Sequence, residues 1–148
     1  MLTTVEKVIA LKRAAVFAEV PDEILAELAS CLEEVEHGAG QAVFKKGDLG
    51  DCMYIIADGR VRIHDGDRTL NDLCAGEVFG EMAVLDAEPR SASATAAVDS
   101  LLLRLDQEPL YEVMEDRIEV TRGIVRMLCQ RLRARLSDLE QLHTQLER

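Results

Sequence analysis

The segment 76–95 constrains this chain more than any other. It opens on glycines, which adopt positive φ at little steric cost, and residues 81–85 predict a short helix. Pro89 ends that helix, because the residue before a proline is disfavoured in the helical region. Arg90 and a run of small residues follow. The predicted helix is too short to be a scaffold helix, and the segment as a whole is typical of a binding loop.

These residue types predict an anion site with a sugar contact. The first turn of a helix leaves backbone N–H groups unpaired, and its dipole favours negative charge there. The planar guanidinium of Arg90 matches phosphate oxygens, and Ser91 adds a hydroxyl. Glu81 would repel a phosphate but can accept hydrogen bonds from sugar hydroxyls. The alternative is a tight turn with an exposed Glu–Arg pair, which would stabilise little.

Length and charge limit the partners. A chain of 148 residues with 48% hydrophobic content predicts one globular domain with its own core. The net charge of −11 argues against direct binding of nucleic acid. An anionic ligand must therefore be held by a local positive site within an unfavourable overall field. This raises the importance of Arg90.

The cysteines and histidines show no metal-binding pattern. They are scattered, without C-x-x-C pairs or zinc-ligand spacing, so we expect no metal or other cofactor. Free cysteines suit a reducing cytosol. Charges interrupt the N-terminal segment where a signal peptide would be apolar, and no apolar run reaches the length of a membrane span. We therefore expect a cytoplasmic protein. No Walker, H-E-x-x-H or G-x-S-x-G motif is present, so we expect no enzyme. The residues concerned are Cys31, Cys52, Cys74, Cys129, His37, His64 and His143.

Periodicity divides the chain into three parts and predicts an α+β fold. Residues 1–37 are predicted to be helical, with a helix starting near Pro21. Residues 38–106 have glycine-rich turns and short strands, typical of a barrel or sandwich. Residues 107–148 are predicted to form two helices, 107–115 and 117–146. The predicted strands are 41–45, 52–57, 61–64, 69–73, 92–98 and 101–105.

The last helix carries an apolar seam on alternating three- and four-residue steps, as in a coiled coil. One interpretation is that the helix packs on its own barrel and then frays. We favour a homodimer, because the later part of the seam extends beyond what the barrel could cover. The same helix is rich in arginine, which we assign to a solvated face. The seam residues are Val125, Cys129, Leu132, Leu136, Leu139, His143 and Leu146.

The motifs F-G-E-M-A-V-L at 79–85 and P-R-S-A at 89–92 resemble the phosphate-binding cassette of cyclic nucleotide-binding domains. The pattern around Gly47-Asp48, residues 53–56 and residues 59–63 is similar to the β-roll of the same family. The resemblance runs from about Phe17 to Leu136. It implies an antiparallel, jelly-roll-like β-roll (a double-stranded β-helix), flanked by N-terminal helices and a long C-terminal helix, in a single domain.

The resemblance also implies a ligand, cAMP or cGMP, and a set of contacts. Arg90 would pair with the cyclic phosphate, and Glu81 and Gly80 would hold the ribose 2′-hydroxyl. Apolar residues of the roll, with two residues of the last helix, would lie against the base. The expected contacts are Gly80, Glu81, Met82, Ala83, Arg90, Ser91, Ala92, Ile63, Leu70, Arg135 and Leu136.

We expect a regulatory receptor whose ligand rearranges the helices and acts on a further effector. Likeness to the catabolite activator favours cAMP. The alternative function is a dimeric scaffold that keeps the fold without binding a nucleotide.

Overall fold

The computed structural model describes residues 1–86 and 88–147. Helices precede and follow a roll of short strands along the chain, which confirms the α+β fold class. A 3₁₀ turn, Ala15–Phe17, follows the first helix. The helices are α1 (Thr4–Arg13), α2 (Asp22–Ser30), α3 (Glu81–Leu85), α4 (Gln107–Asp116) and α5 (Ile118–Leu146). The strands are β1 (Glu33–His37), β2 (Ala42–Phe44), β3 (Cys52–Asp58), β4 (Arg60–Asp65), β5 (Arg68–Cys74), β6 (Val78–Phe79), β7 (Ser93–Ala96) and β8 (Ser100–Asp106).

The strands form two four-stranded sheets with the orders β1-β8-β3-β6 and β2-β7-β4-β5. Their pairings are antiparallel. Side chains of β3 are buried on both faces, because alternate residues of a strand point to opposite sides of the sheet. Ile55 packs in the core shared with the helices, whereas Tyr54 and Ile56 pack inside the roll. The sheet of β3 thus separates the helical core from the interior that receives the cassette.

The N-terminal region is only partly as predicted. The helix predicted to start near Pro21 is present as α2, and its Leu25 and Leu28 are buried. The prediction of helix through His37 is wrong, since residues from Glu33 onward form β1 and pair with β8. The edge of β8 offers these residues a full ladder of backbone hydrogen bonds, which local helix propensity does not outweigh. On α1, Val5 and Ile9 are exposed, whereas Leu11 is buried.

The buried apolar side chains of helix α5 lie in its first turns. A Cβ on Gly123 would lie 2.2 Å from the carbonyl oxygen of Val16, so only glycine permits this close approach. Val120, Ile124 and Met127 are buried beside it. Beyond them the seam residues are open to solvent, with Leu132 and Leu139 each 61% exposed. No helix in the described part of the chain is long and apolar enough to span a membrane.

Candidate functional site

A pocket of about 740 Å³ lies between the roll, the cassette and α5. It contains every predicted contact except Leu136. Leu136 is 51% exposed and lies instead beside Leu139, on the open seam of α5. The pocket therefore brings together residues that are far apart in the sequence, and Leu136 is not part of its lining within one chain.

Arg90 is buried against backbone rather than against an acid. Its side chain is 6% exposed, although it carries a permanent charge. Nη1 donates to the carbonyl of Gly80 at 3.0 Å, and Nη2 donates to the carbonyl of Cys52 at 2.9 Å. A guanidinium has five N–H donors, so donors remain for a ligand in the pocket. A buried cation held this way is prepared to receive an anion.

Two glycines make room for this guanidinium. A Cβ on Gly50 would lie 2.3 Å from Nε of Arg90, and one on Gly80 would lie 2.7 Å from Nη1. Gly80 also has φ +78°, a conformation that disfavours other residues. It immediately precedes α3, whose predicted bounds are confirmed. The glycine of the cassette thus serves both the turn and the arginine.

Glu81 is the second buried charge of the site. It is 4% exposed and forms an ion pair with Arg131 of α5. Its other oxygen, Oε2, is buried and has no hydrogen-bond partner among residues 1–86 and 88–147. An unpaired buried carboxylate oxygen is costly, and a ligand hydroxyl would satisfy it.

Arg131 is a candidate site residue that the sequence analysis did not predict, since it lines the pocket and pairs with Glu81. Burial lowers the pKa of Arg131 from its ordinary value, and the nearby charge of Arg135 lowers it further. The available sequence signal was its position four residues before Arg135, which places both on one face of α5. The sequence offered no reason to pair Arg131 with an acid of the cassette.

Apolar residues of the roll also line the pocket. Ile63, Leu70 and Leu73 line it from the roll. Apolar side chains of this kind suit the face of a flat ring. Polar residues that were not predicted also line this pocket, namely Asn71, Glu77, Asp86, Glu88 and Asp138.

One group of three potential metal ligands occurs within residues 1–86 and 88–147, namely Asp51, Cys52 and Asp106. Their ligand atoms lie within 4.8 Å of one another. Arg104 donates to Asp106 at 3.0 Å, and Arg90 approaches the sulfur of Cys52 at 3.6 Å. Because two of the three ligands already contact a cation, we assign no metal to this group.

Known proteins carry the same fold and sequence pattern. A protein of Mycobacterium tuberculosis named CRP-like cAMP-activated global transcriptional regulator is 33% identical over 137 residues, which cover 89% of this chain and 61% of the relative. The cyclic AMP receptor protein of Thermus thermophilus is 42% identical over 106 residues, covering 68% of this chain and 48% of the relative. The crystal structure of Thermus thermophilus catabolite activator protein superimposes with a TM-score of 0.80 at 33% identity, covering 87% of this chain and 63% of that chain.

The chain thus spans 48% to 61% of the length of these two curated relatives. The profile of the cyclic nucleotide-binding domain matches residues 34–117, which include the cassette and all of the roll except the first residue of β1. The buried Arg90 and Glu81 lie within the matched region. Sequence, fold and pocket agree, and the chain belongs to the cyclic nucleotide-binding domain family.

Proposed function

We propose that this chain is a single regulatory domain that binds cAMP in preference to cGMP. The observation that carries the proposal is the buried guanidinium of Arg90, held by two backbone carbonyls at the edge of a pocket large enough for a nucleotide. The names of the Mycobacterium and Thermus relatives refer to cAMP, which supports the choice of base. The same relatives favour a regulator over an enzyme. They also favour a location in the cytoplasm.

In this proposal the two buried charges divide the ligand between them. Arg90 binds the cyclic phosphate, with Ser91, Ala92 and the amides around Met82 and Ala83 near the same oxygens. Glu81 accepts a hydrogen bond from the ribose 2′-hydroxyl through its unpaired Oε2, next to the backbone of Gly80. A monoanionic ligand with one free ribose hydroxyl satisfies both groups.

The base then lies at the apolar end. Ile63 and Leu70 line the pocket from the roll, and Arg135 lines it from α5. The contact of Leu136 with the base remains a prediction, because Leu136 does not line the pocket within one chain.

Titration calorimetry of the wild type with cAMP, cGMP and AMP tests the proposal. Replacing Arg90 by alanine removes the charge that receives the phosphate, and losing one partner of a buried pair costs about 3–5 kcal/mol. We therefore expect Arg90→Ala to weaken binding by roughly a few hundred- to several thousand-fold. Arg133→Ala, an exposed position on α5, is the control and should bind as wild type does. Wild-type affinity in Arg90→Ala would contradict the assignment.

The ribose contact has its own test. Glu81→Ala should weaken cAMP strongly but 2′-deoxy-cAMP much less, because the deoxy ligand lacks the hydroxyl that Glu81 accepts. Equal losses for the two ligands would remove Glu81 from this role.

We also propose that α5 pairs with a second copy of the chain. The supporting observation is its row of exposed apolar residues, which includes Leu132, Leu139 and Leu146. Sedimentation velocity should show a dimer for the wild type and a monomer for Leu132→Lys combined with Leu139→Lys. A monomeric wild type at micromolar concentration would leave the helix without this role.

A regulator also needs an effector, and a ligand shifts a conformational equilibrium only by its differential affinity for the two states. We propose that the ligand acts by rearranging α5, which lines the pocket with Arg131 and Arg135. Direct contact of these residues with nucleic acid is not expected at a net charge of −11.

A scaffold that keeps the fold without a ligand is the competing function. A thermal shift with cAMP decides between them, since a specific ligand raises the melting temperature by mass action.

A further inference from the structure

Three of the few aromatic residues lie together beneath Arg90. The sequence has three phenylalanines, two tyrosines and no tryptophan. Phe44, Tyr54 and Phe79 form one cluster inside the roll, with ring centroids 5.2 to 6.2 Å apart. The guanidinium carbon of Arg90 lies 4.2 Å from the centroid of Phe44. An aromatic-poor chain thus concentrates its rings at the charge that we assign to the phosphate.

We propose that Phe44 is a positioning residue for phosphate binding, which it promotes by holding the guanidinium plane of Arg90 through a cation–π contact. This inference rests on the proposed function. Arg90 is buried, and a buried charge is costly unless its surroundings compensate it. The face of an aromatic ring is electron-rich and attracts a cation within about 6 Å of its centroid.

The contacts around Arg90 act in different directions. The carbonyls of Gly80 and Cys52 hold two nitrogens of the guanidinium in its own plane. Two in-plane bonds leave the group able to tilt out of that plane. The guanidinium carbon lies over the ring of Phe44, 4.2 Å from its centroid, and the attraction between the ring and the cation opposes this tilt. The remaining N–H donors then keep one direction toward the pocket.

The ring is itself supported. Phe44 packs against Tyr54 at 6.2 Å and against Phe79 at 6.0 Å, and the latter two rings are stacked at 5.2 Å. Burial, together with the neighbouring Cys52, raises the pKa of Tyr54 well above its ordinary value, so its hydroxyl is neutral near physiological pH. The cluster therefore adds no competing negative charge beneath Arg90.

Phe44 also lines the pocket, so it combines contact with the arginine and access to the ligand space. It belongs to β2, whereas Arg90 follows the cassette helix, so the two meet only through the fold. A residue that merely filled the interior could be any apolar side chain of similar volume. A positioning role requires the ring and its electron density, and this difference can be measured.

The test uses the full chain with fluorinated phenylalanines placed at position 44. Fluorine withdraws electron density from the ring face and changes its shape little. We expect cAMP affinity, measured by calorimetry, to fall stepwise with the number of fluorines. Phe44→Leu should weaken binding by about threefold to thirtyfold, whereas Phe44→Tyr should restore affinity to within about twofold of the wild type.

The same fluorinated residues at Phe17 are the matched control. Phe17 is fully buried and belongs to the core shared with the helices, whereas Phe44 packs in the roll, so the control series should show little change in affinity. Melting temperatures of the free variants report any loss of packing separately. A flat series at position 44 with a wild type that binds cAMP would overturn this inference alone. A wild type that binds neither cAMP nor cGMP would overturn the proposed function and this inference with it.

Discussion

The ion pair between Glu81 and Arg131 allows a prediction with a defined sign. The two partners differ in burial, since the Glu81 side chain is 5% exposed and that of Arg131 is 46% exposed. Arg131→Ala leaves a carboxylate buried without a counter-charge. Glu81→Gln leaves an arginine that water can still solvate. We therefore expect Arg131→Ala to cost more stability than Glu81→Gln does.

The magnitude lies between two known limits. Breaking a buried pair costs about 3–5 kcal/mol, and breaking an exposed pair costs about 0.2–1 kcal/mol. Because solvent reaches about half of Arg131, we discount the buried value and expect about 1–3 kcal/mol for Arg131→Ala. For a chain of this size, that loss corresponds to a fall in melting temperature of roughly 3–10 °C.

Urea unfolding of the single and double variants, without ligand, measures these terms as a double-mutant cycle. The double variant should be more stable than Arg131→Ala alone, because Glu81→Gln removes the uncompensated charge. Arg133→Ala, at an exposed site two residues along α5, should change stability by less than about 0.5 kcal/mol. Purely additive losses would show that the two side chains do not interact, and the reasoning would be refuted.

Three further predictions concern single positions. Alanine at an interior helix position is usually favoured over glycine by about 1 kcal/mol, yet Gly123→Ala should lower the melting temperature, because its Cβ would lie 2.2 Å from the carbonyl oxygen of Val16; a rise on calorimetric scanning would contradict this packing. Gly80→Ala should cost about 1–2 kcal/mol of stability, because its φ of +78° disfavours alanine. It should also weaken cAMP binding, because the new methyl would meet Arg90. Unchanged affinity by calorimetry would count against the contact. Burial lowers the pKa of His37 from 6.5, so near and below this pH the unfolded chain binds more protons than the folded chain. The unfolding free energy should therefore fall as the pH drops below about 6.5. Urea titrations of His37→Gln should show a weaker dependence of the unfolding free energy on pH, and an identical dependence would exclude His37 as its source.

Local chemistry explains why much of the site could be predicted. Gly80, Glu81 and Arg90 lie within one short segment, where turn, helix and proline signals act over a few residues. The same holds for most strands of the roll, such as Cys52–Asp58, whose burial and bounding turns are readable from neighbours along the chain. The long helix was predicted within one residue of Ile118–Leu146 for a similar reason.

Other elements depend on partners distant in the chain. Residues 33–37 looked helical from their neighbours, and only the free edge of β8 makes them a strand. The two-residue strand Val78–Phe79 was missed because pairing with β3, rather than its own length, defines it.

The sequence by itself determined the family, the cassette and the charges that a cyclic nucleotide would need, because these follow from residue types at short spacing. Only the tertiary structure decided which charges are buried, that Arg131 pairs with Glu81, and that the ring of Phe44 lies against Arg90. Those contacts join different strands and helices. Their geometry arises from packing the whole roll against α5, which no local pattern encodes.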